Sequence, residues 1–384
     1  MSVFEQAITG FGRCFPSDAK PTLLTVPGRV NLMGEHVDYH DVPVLPMAID
    51  NRIAFAFQRR DDMELNGVSQ DQPYAVRASL AAPFTSGIPG DWSNYVRAAG
   101  TAMIRHFGIA RGINLYVASD LPSAAGLSSS SALLTGVCLA LLHANGLQPD
   151  FHELAAVLPD AEQLVGTRGG AMDHVAILAS RAGHATLIRR FEPLDVEHVA
   201  LPAIWRFLVA HSLVTAEKSS DHREAYNGIR SAGTRALAQL GLKSYRQAMA
   251  ESRDLSVLEN VPERDAYVHV LSEGRRVLDA VAALRAEDVT AFGRLLNESH
   301  ASLRDRLRVS VGAVDQLVDC AKAAGAFGAR MTGAGFGGCV LCLCTEQNVA
   351  EVEAALIQGF YVGRPEFDRA KHLFIAEASA GASL

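Results

Sequence analysis

Apolar residues in this chain fall into two kinds of run. Short, nearly continuous blocks at 22–26, 44–57, 113–118, 184–188, 206–210, 338–344 and 371–375 have the pattern of buried strands. A block at 133–143 is apolar on nearly every side, which predicts a helix enclosed by the core rather than lying on it. Helical periodicity predicts further helices over 151–164, 223–240, 244–251, 266–284, 289–306 and 311–324, several with opposite charges four residues apart. Strands and helices mix without regular alternation, so the fold class is α+β rather than a doubly wound sheet. A break between Glu192-Pro193 and Leu201-Pro202 suggests two domains, 1–198 and 199–384. A chain of 384 residues is also longer than single cores usually grow. No internal repeat is visible.

Composition narrows the function classes. Hydrophobic residues make up 49% and charged residues 20%, enough for well-buried cores. A net charge of −7 without any Lys/Arg cluster argues against nucleic acid and anionic membrane as partners. The longest apolar run, 132–142, is too short to cross a bilayer. The first residues, MSVFEQAITGFGRCF, carry an early acid and no apolar signal region, so a cytoplasmic protein is expected. Six cysteines then read as free thiols. Cys339, Cys342 and Cys344 have C-x-x-C spacing, but they sit in an apolar run after a glycine turn with no fourth ligand apparent. That favours a buried strand over a metal site.

Three glycine-bearing segments carry the chemistry. The first in importance is Pro122-Ser123-Ala124-Ala125-Gly126-Leu127-Ser128-Ser129-Ser130-Ser131-Ala132, at the mouth of the buried helix. A helix N-terminus presents unpaired backbone N–H groups and the positive end of the helix dipole, which suits a phosphate. Gly126 lets the backbone approach an anion closely. Serine hydroxyls can bond phosphate oxygens or ligate Mg²⁺. The same run reads equally well as a serine-rich N-cap. No G-x-x-x-x-G-K-[ST] sequence occurs, which excludes a P-loop. The flanking segments are Pro27-Gly28-Arg29-Val30-Asn31-Leu32-Met33-Gly34-Glu35-His36-Val37-Asp38-Tyr39 and Gly328-Ala329-Arg330-Met331-Thr332-Gly333-Ala334-Gly335-Phe336-Gly337-Gly338-Cys339.

In this order and spacing the three segments resemble the three motifs of the GHMP small-molecule kinases. Within that superfamily the first is similar to the galactokinase signature, as are Asp91-Trp92-Ser93-Asn94-Tyr95-Val96-Arg97 and Gly169-Gly170-Ala171-Met172-Asp173. The resemblance runs from residue 11 onward. It implies an N-terminal domain like ribosomal protein S5 domain 2, a ferredoxin-like C-terminal domain, and an active site in the cleft between them. It implies transfer of the γ-phosphoryl group of MgATP to the anomeric hydroxyl of galactose by a monomer whose partners are ATP and the sugar. N-acetylgalactosamine or L-arabinose is the alternative acceptor. A sugar- and ATP-binding regulator without catalysis is the alternative from another class, and the completeness of the motifs favours the enzyme.

The same resemblance assigns roles. Gly126, Leu127, Ser128, Ser129, Ser130 and Gly335 would bind ATP, and Ser130 with Glu162 would hold Mg²⁺. Asp173 would take the proton of the acceptor hydroxyl, with Arg29 as its ionic partner. Glu35, His36, Asp38 and Tyr226 would bind the sugar, their carboxylates and imidazole engaging hydroxyls directionally. His36 and His40 have metal-like spacing, but sugar contacts explain that segment better. Four positions depart from the usual bacterial pattern. Ser131 stands where alanine is usual and is expected to cap the helix. Glu162 lies four residues before Gly166, as in N-acetylgalactosamine kinases and yeast-type galactokinases. His174 replaces the glutamine of Met-Asp-Gln, which unsettles the hydrogen bonds beside the base. His40-Asp41-Val42 replaces Asn-Gly-Gly, so the loop lining the sugar is expected to differ.

Overall fold

The computed structural model describes residues 1–383 except 89, 124, 167, 168 and 216–219, and except the side chains of 220–223. The chain opens with α1 (Val3–Cys14), where Ser2 and Glu5 form a reciprocal cap. There follow β1 (Thr22–Met33), β2 (Leu45–Arg59), β3 (Glu64–Ser69), β4 (Val76–Ser79), α2 (Trp92–Phe107), β5 (Ile113–Ser119), α3 (Ser129–Ala144), α4 (Phe151–Gln163), α5 (Met172–Ala179), β6 (His184–Phe191) and β7 (Leu194–Ala200). The later part holds β8 (Trp205–His211), α6 (Ser220–Gln239), α7 (Tyr245–Ala250), α8 (Val261–Arg285), α9 (Val289–Ser302) and α10 (Gly312–Ala323). It ends with β9 (Gly328–Met331), β10 (Cys339–Thr345), α11 (Val349–Leu356), α12 (Arg369–His372) and β11 (Leu373–Ala376).

The architecture is α+β, with one five-stranded sheet in the order β1-β2-β5-β3-β4 and one four-stranded antiparallel sheet in the order β11-β8-β10-β9. In the first, only the β3–β5 pair is parallel. Helix α3 packs on β1 and β2, and its apolar surface is enclosed as its sequence predicts. Gly136 makes this approach close: a Cβ there would lie 2.1 Å from the Phe55 ring. In β10, Cys339, Cys342 and Cys344 are all buried and free, which fits the strand reading. No helix among the described residues is long and apolar enough to cross a membrane.

Two expectations are corrected. The strand expected at 22–26 does not stop there: the Pro27–Met33 part of the first motif also belongs to β1, with register shifts between Pro27 and Arg29 and between Asn31 and Met33. Proline and glycine made it look like a loop; bulges accommodate them and re-aim the side chains. The break at 192–202 is also not a bare linker. It holds β7, which pairs with β6 in a hairpin, and the expected division at 198/199 falls inside that strand.

After β11 the chain crosses back to the first sheet. Ala378 and Ser383 form bridges to Ile49 of β2 and Thr25 of β1. The Gly381 N–H donates to the Ser180 carbonyl, and Arg52 reaches the Ala380 carbonyl at 2.6 Å.

Candidate active site

The bulged end of β1 meets the serine loop through backbone. The Arg29 N–H donates to the Leu127 carbonyl at 3.1 Å, and Cys339 N–H donates to the Ala125 carbonyl at 3.0 Å. Gly126 has φ +78°, and a Cβ on it would fall 2.4 Å from the Thr332 carbonyl oxygen. A Cβ on Gly333 would meet Gly126 Cα at 2.8 Å. The serine loop and the third motif therefore touch main chain to main chain, which glycine alone permits. They form the floor of a cavity of about 640 Å³. Every predicted site residue except Leu127 lines it. The Leu127 side chain is buried in the core, because its carbonyl faces Arg29 and its side chain packs inward.

At the centre, Arg29 Nε donates to Asp173 Oδ1 at 2.7 Å and its Nη1 donates to the Gly126 carbonyl at 2.7 Å. Burial works against the Arg29 charge, but the carboxylates of Asp173, Glu35 and Asp38 outweigh it and raise its pKa. Ser128, in the left-handed region at φ 58°, donates its hydroxyl to Asp173 Oδ2 at 2.5 Å. It was expected on phosphate; here it orients the carboxylate. Both oxygens of Asp173 thus receive a donor, and the group faces the cavity in one fixed orientation.

Helix α3 starts at Ser129 without a side-chain cap bond at Ser128. The expected capping role of Ser131 is corrected: its hydroxyl lies 3.2 Å from both carboxylate oxygens of Glu162 and 3.5 Å from Asp173 Oδ2. From the other side, His174 Nε2 reaches Glu162 Oε2 at 3.1 Å, and His174 Nδ1 meets Thr135 Oγ1 at 3.3 Å. Glu162 is buried.

The sugar-side residues sit on the loop after β1. Glu35 Oε1 accepts the Gly333 N–H at 2.7 Å and the Thr332 hydroxyl at 3.3 Å, and pairs with Arg330 at 2.9 Å. This side chain therefore staples the first motif to the third as well as lining the cavity. His36 bonds through both ring nitrogens, Nδ1 to the Tyr39 hydroxyl at 3.0 Å and Nε2 to the Ala334 carbonyl at 3.1 Å. A carbonyl only accepts, so Nε2 carries the proton. Burial lowers the His36 pKa, against the pull of Glu35, and the ring is neutral with no nitrogen left for a metal. Asp38 faces Gly170, where a Cβ would fall 2.2 Å from its Oδ2. Burial and then the Asp173 charge raise the Asp38 pKa to about 7, although backbone N–H groups of Tyr39 and Met172 hold it down. Tyr226 comes from α6, its ring 5.1 Å from His36 and 5.7 Å from Tyr39.

The unusual His40-Asp41-Val42 segment turns away from the cavity. Asp41 takes the Phe191 N–H at 2.8 Å, Val42 is buried beside Gly274, and His40 stacks 4.7 Å from Tyr245. None of the three lines the cavity.

Sequence reading missed one support entirely. Glu273 of α8 accepts the N–H groups of Gly34 and Glu35 at 3.0 and 3.2 Å, and the Ser299 hydroxyl at 2.8 Å. Burial alone would raise its pKa; Arg276, His269 and Arg330 overcome this and bring it to about 2. His269 adds a bond from Nε2 to the Glu35 carbonyl at 2.9 Å. An acid in a long helix ordinarily faces water, and nothing local marks this one as buried.

The site belongs to a known class. Residues 94–181 match the family described as the GHMP kinases N terminal domain, and residues 280–362 match GHMP kinases C terminal. Residues 9–59 match the galactokinase galactose-binding signature. A galactokinase of Roseiflexus sp. (strain RS-1) is 36% identical over 368 residues, covering 94% of this chain and 92% of the relative. The crystal structure of Lactococcus lactis galactokinase complexed with galactose superposes with a TM-score of 0.88 at 27% identity, covering 100% of both chains. Methanococcus jannaschii mevalonate kinase shares the fold at a TM-score of 0.65 and 19% identity, over 94% of this chain and 99% of its own. The chain belongs to the galactokinase family of the GHMP kinases.

Proposed function

We propose that the protein transfers the γ-phosphoryl group of ATP to the anomeric hydroxyl of galactose, giving galactose 1-phosphate, ADP and a proton. The observation that carries this reading is the Asp173 carboxylate, gripped by Arg29 and Ser128 and turned into a cavity that the serine loop also lines. Asp173 accepts the proton of the attacking hydroxyl as the oxygen–phosphorus bond forms. Arg29 stays beside it as a fixed positive charge. Phosphate oxygens lie against the N-terminus of α3, where first-turn N–H groups and the hydroxyls of Ser129 and Ser130 can bond them. Gly126 and Gly335 line the same cavity. Residues before and after the β6–β7 hairpin both line the cavity, the later part of the chain through Tyr226 and the third motif.

The donor set suits Mg²⁺. The Ser130 hydroxyl and Glu162 carboxylate line one side of the cavity, and both are hard oxygen donors of the kind that supplement nucleotide phosphates around this ion. When bound, Mg²⁺ would neutralise charge on the β- and γ-phosphate oxygens. Glu35, Asp38 and Tyr226 bind the sugar, and His36, with both ring nitrogens engaged by Tyr39 and Ala334, shapes the wall beside it.

An ADP-release assay over galactose, N-acetylgalactosamine, L-arabinose and glucose tests the reading, with galactose expected to be the best acceptor. A preference of tenfold or more for the acetamido sugar would overturn the acceptor and leave the kinase standing. Sugar binding without ADP release would make the protein a regulator.

Sugar affinity should also depend on pH. Hydroxyl donors require Asp38 as a carboxylate, yet its raised pKa, about 7, keeps it largely protonated below neutrality. Its charge is opposed by Asp173 and Glu35 and faced by the Tyr39 and Tyr226 hydroxyls. Galactose binding then has to expel a proton at low pH. Affinity should fall by up to about tenfold per pH unit below 7 and level off above it. Calorimetric titration between pH 5.5 and 8 checks this; a flat profile would mean that Asp38 does not need its charge.

A further inference from the structure

Ser131 and His174 are the two departures that flank the catalytic segments in sequence, 43 residues apart, and the fold brings both onto one carboxylate. We infer that Ser131 and His174 are positioning residues for metal use: together they clamp the Glu162 carboxylate in the orientation that receives the cation. The inference rests on Glu162 being the acidic ligand in the reading above.

The clamp is built for this. Ser131 stands in the first turn of α3 and is 1% exposed, so its hydroxyl has no exit to solvent. His174 is 0% exposed on α5, and Thr135, one turn further along α3, is equally buried. An ionised carboxylate cannot donate, so His174 Nε2 carries the proton and donates to Glu162 Oε2. Nδ1 lies 3.3 Å from the Thr135 hydroxyl, so both ring nitrogens are engaged and the imidazole is held between Thr135 and Glu162.

Glu162 itself stands at the C-terminal end of α4, ahead of residues 167 and 168, which lie outside the described ones. A glutamate has three rotatable bonds, and at a helix end its backbone is less constrained than at mid-helix. Bonds from two other helices remove that freedom. Outer partners of this kind typically contribute about 10–100-fold to metal affinity by fixing ligand orientation.

Ser131 has a second consequence. It lies between Glu162 and Asp173, 3.2 Å from one and 3.5 Å from the other, so one hydroxyl spans the metal side and the base side of the cavity. His174 immediately follows Asp173 in α5.

The test measures metal-dependent nucleotide binding rather than turnover. Calorimetry with a non-hydrolysable ATP analogue, with and without Mg²⁺, gives the factor by which the metal tightens binding. Ser131→Ala and His174→Ala should each reduce that factor by about tenfold or more, with metal-free affinity unchanged. His174→Gln, which keeps an N–H donor at similar reach, should restore most of it. A purely structural role predicts a lowered melting temperature and no metal-specific change. Ser131→Ala removes one oxygen, so it carries the test if His174→Ala does not fold. Glu162→Gln separates the two levels. If it leaves the metal factor intact, Glu162 is not a ligand and the metal reading above fails. If it abolishes the factor while Ser131→Ala and His174→Ala leave it unchanged, the clamp alone is wrong.

Discussion

Asp173→Asn should lower kcat by about 10²–10⁴-fold while nucleotide affinity stays near that of the unaltered protein. The substitution is close to isosteric and keeps the local bonds in reach. An amide oxygen can still accept from Arg29 Nε, 2.7 Å away in the structure, and an amide NH₂ can donate to Ser128 Oγ, which then reverses its role. What is lost is the ability to take a proton. Arg29→Ala should cost a similar factor, and the double variant should be little worse than either single one, because the pair acts as a unit. Arg29→Ala also removes the partner of a part-buried carboxylate, so its melting temperature should fall more than that of Asp173→Asn. Steady-state kinetics with calorimetry of ATP binding decide the matter. A near-normal kcat for Asp173→Asn would remove the carboxylate from the chemistry. The same variant removes the second-largest cause of the raised Asp38 pKa, so the midpoint of its sugar-binding pH profile should move downward.

Galactose should be preferred to glucose by about 10⁴-fold or more in kcat/KM, and Asp38→Ala should abolish galactose turnover without weakening ATP binding. The resemblance to galactokinases implies that Asp38 would engage the C3 and C4 hydroxyls. A buried polar group built to bond a substrate hydroxyl rejects the analogue that cannot supply it, and the penalty is large because the site group stays unpaired. The packing of Asp38 supports such selectivity. Its carboxylate is pressed against Gly170, and the neighbouring imidazole of His36 is fixed through both nitrogens, so neither can reorient toward a different epimer. Glucose turnover within tenfold of galactose turnover would show that the C4 configuration is read elsewhere or not at all.

The readable part of this chain was the part whose signal is local. Helix α3 and strand β10 are apolar from end to end, and a run of that kind has few places to go but the core. The paired motifs were legible because glycine, serine and acid in a fixed order carry a backbone device. Polar strands were not legible: Glu-Leu-Asn-Gly-Val-Ser of β3 and Val-Arg-Ala-Ser of β4 owe their pairing to β5 and to each other, not to any alternation of their own. Helix α1 and helix α2 had signals that went unread, the Ser2–Glu5 box in one and the Asp91 cap with Gly108 at the other end in the second. In the site, the sequence placed residues on motifs but could not assign their hydrogen bonds. Ser128 turned toward Asp173, and Ser131 toward Glu162, because both stand at the start of a helix whose neighbours are chosen by tertiary packing. Glu273 had no local mark at all, since its importance comes from backbone groups of a different segment, and Arg330 stood in the third motif without a sign of its pairing with Glu35.

The return of residues 377–383 to β1 and β2 bears on how this protein emerges from the ribosome. Thr25 and Ile49 are made more than 300 residues ahead of their bridge partners Ser383 and Ala378. A nascent chain holding only the first sheet has to wait with its β1 edge uncovered, and an uncovered edge is a site for pairing with other chains. Translation pauses or truncation before residue 377 should therefore raise aggregation more than the small number of lost contacts would suggest.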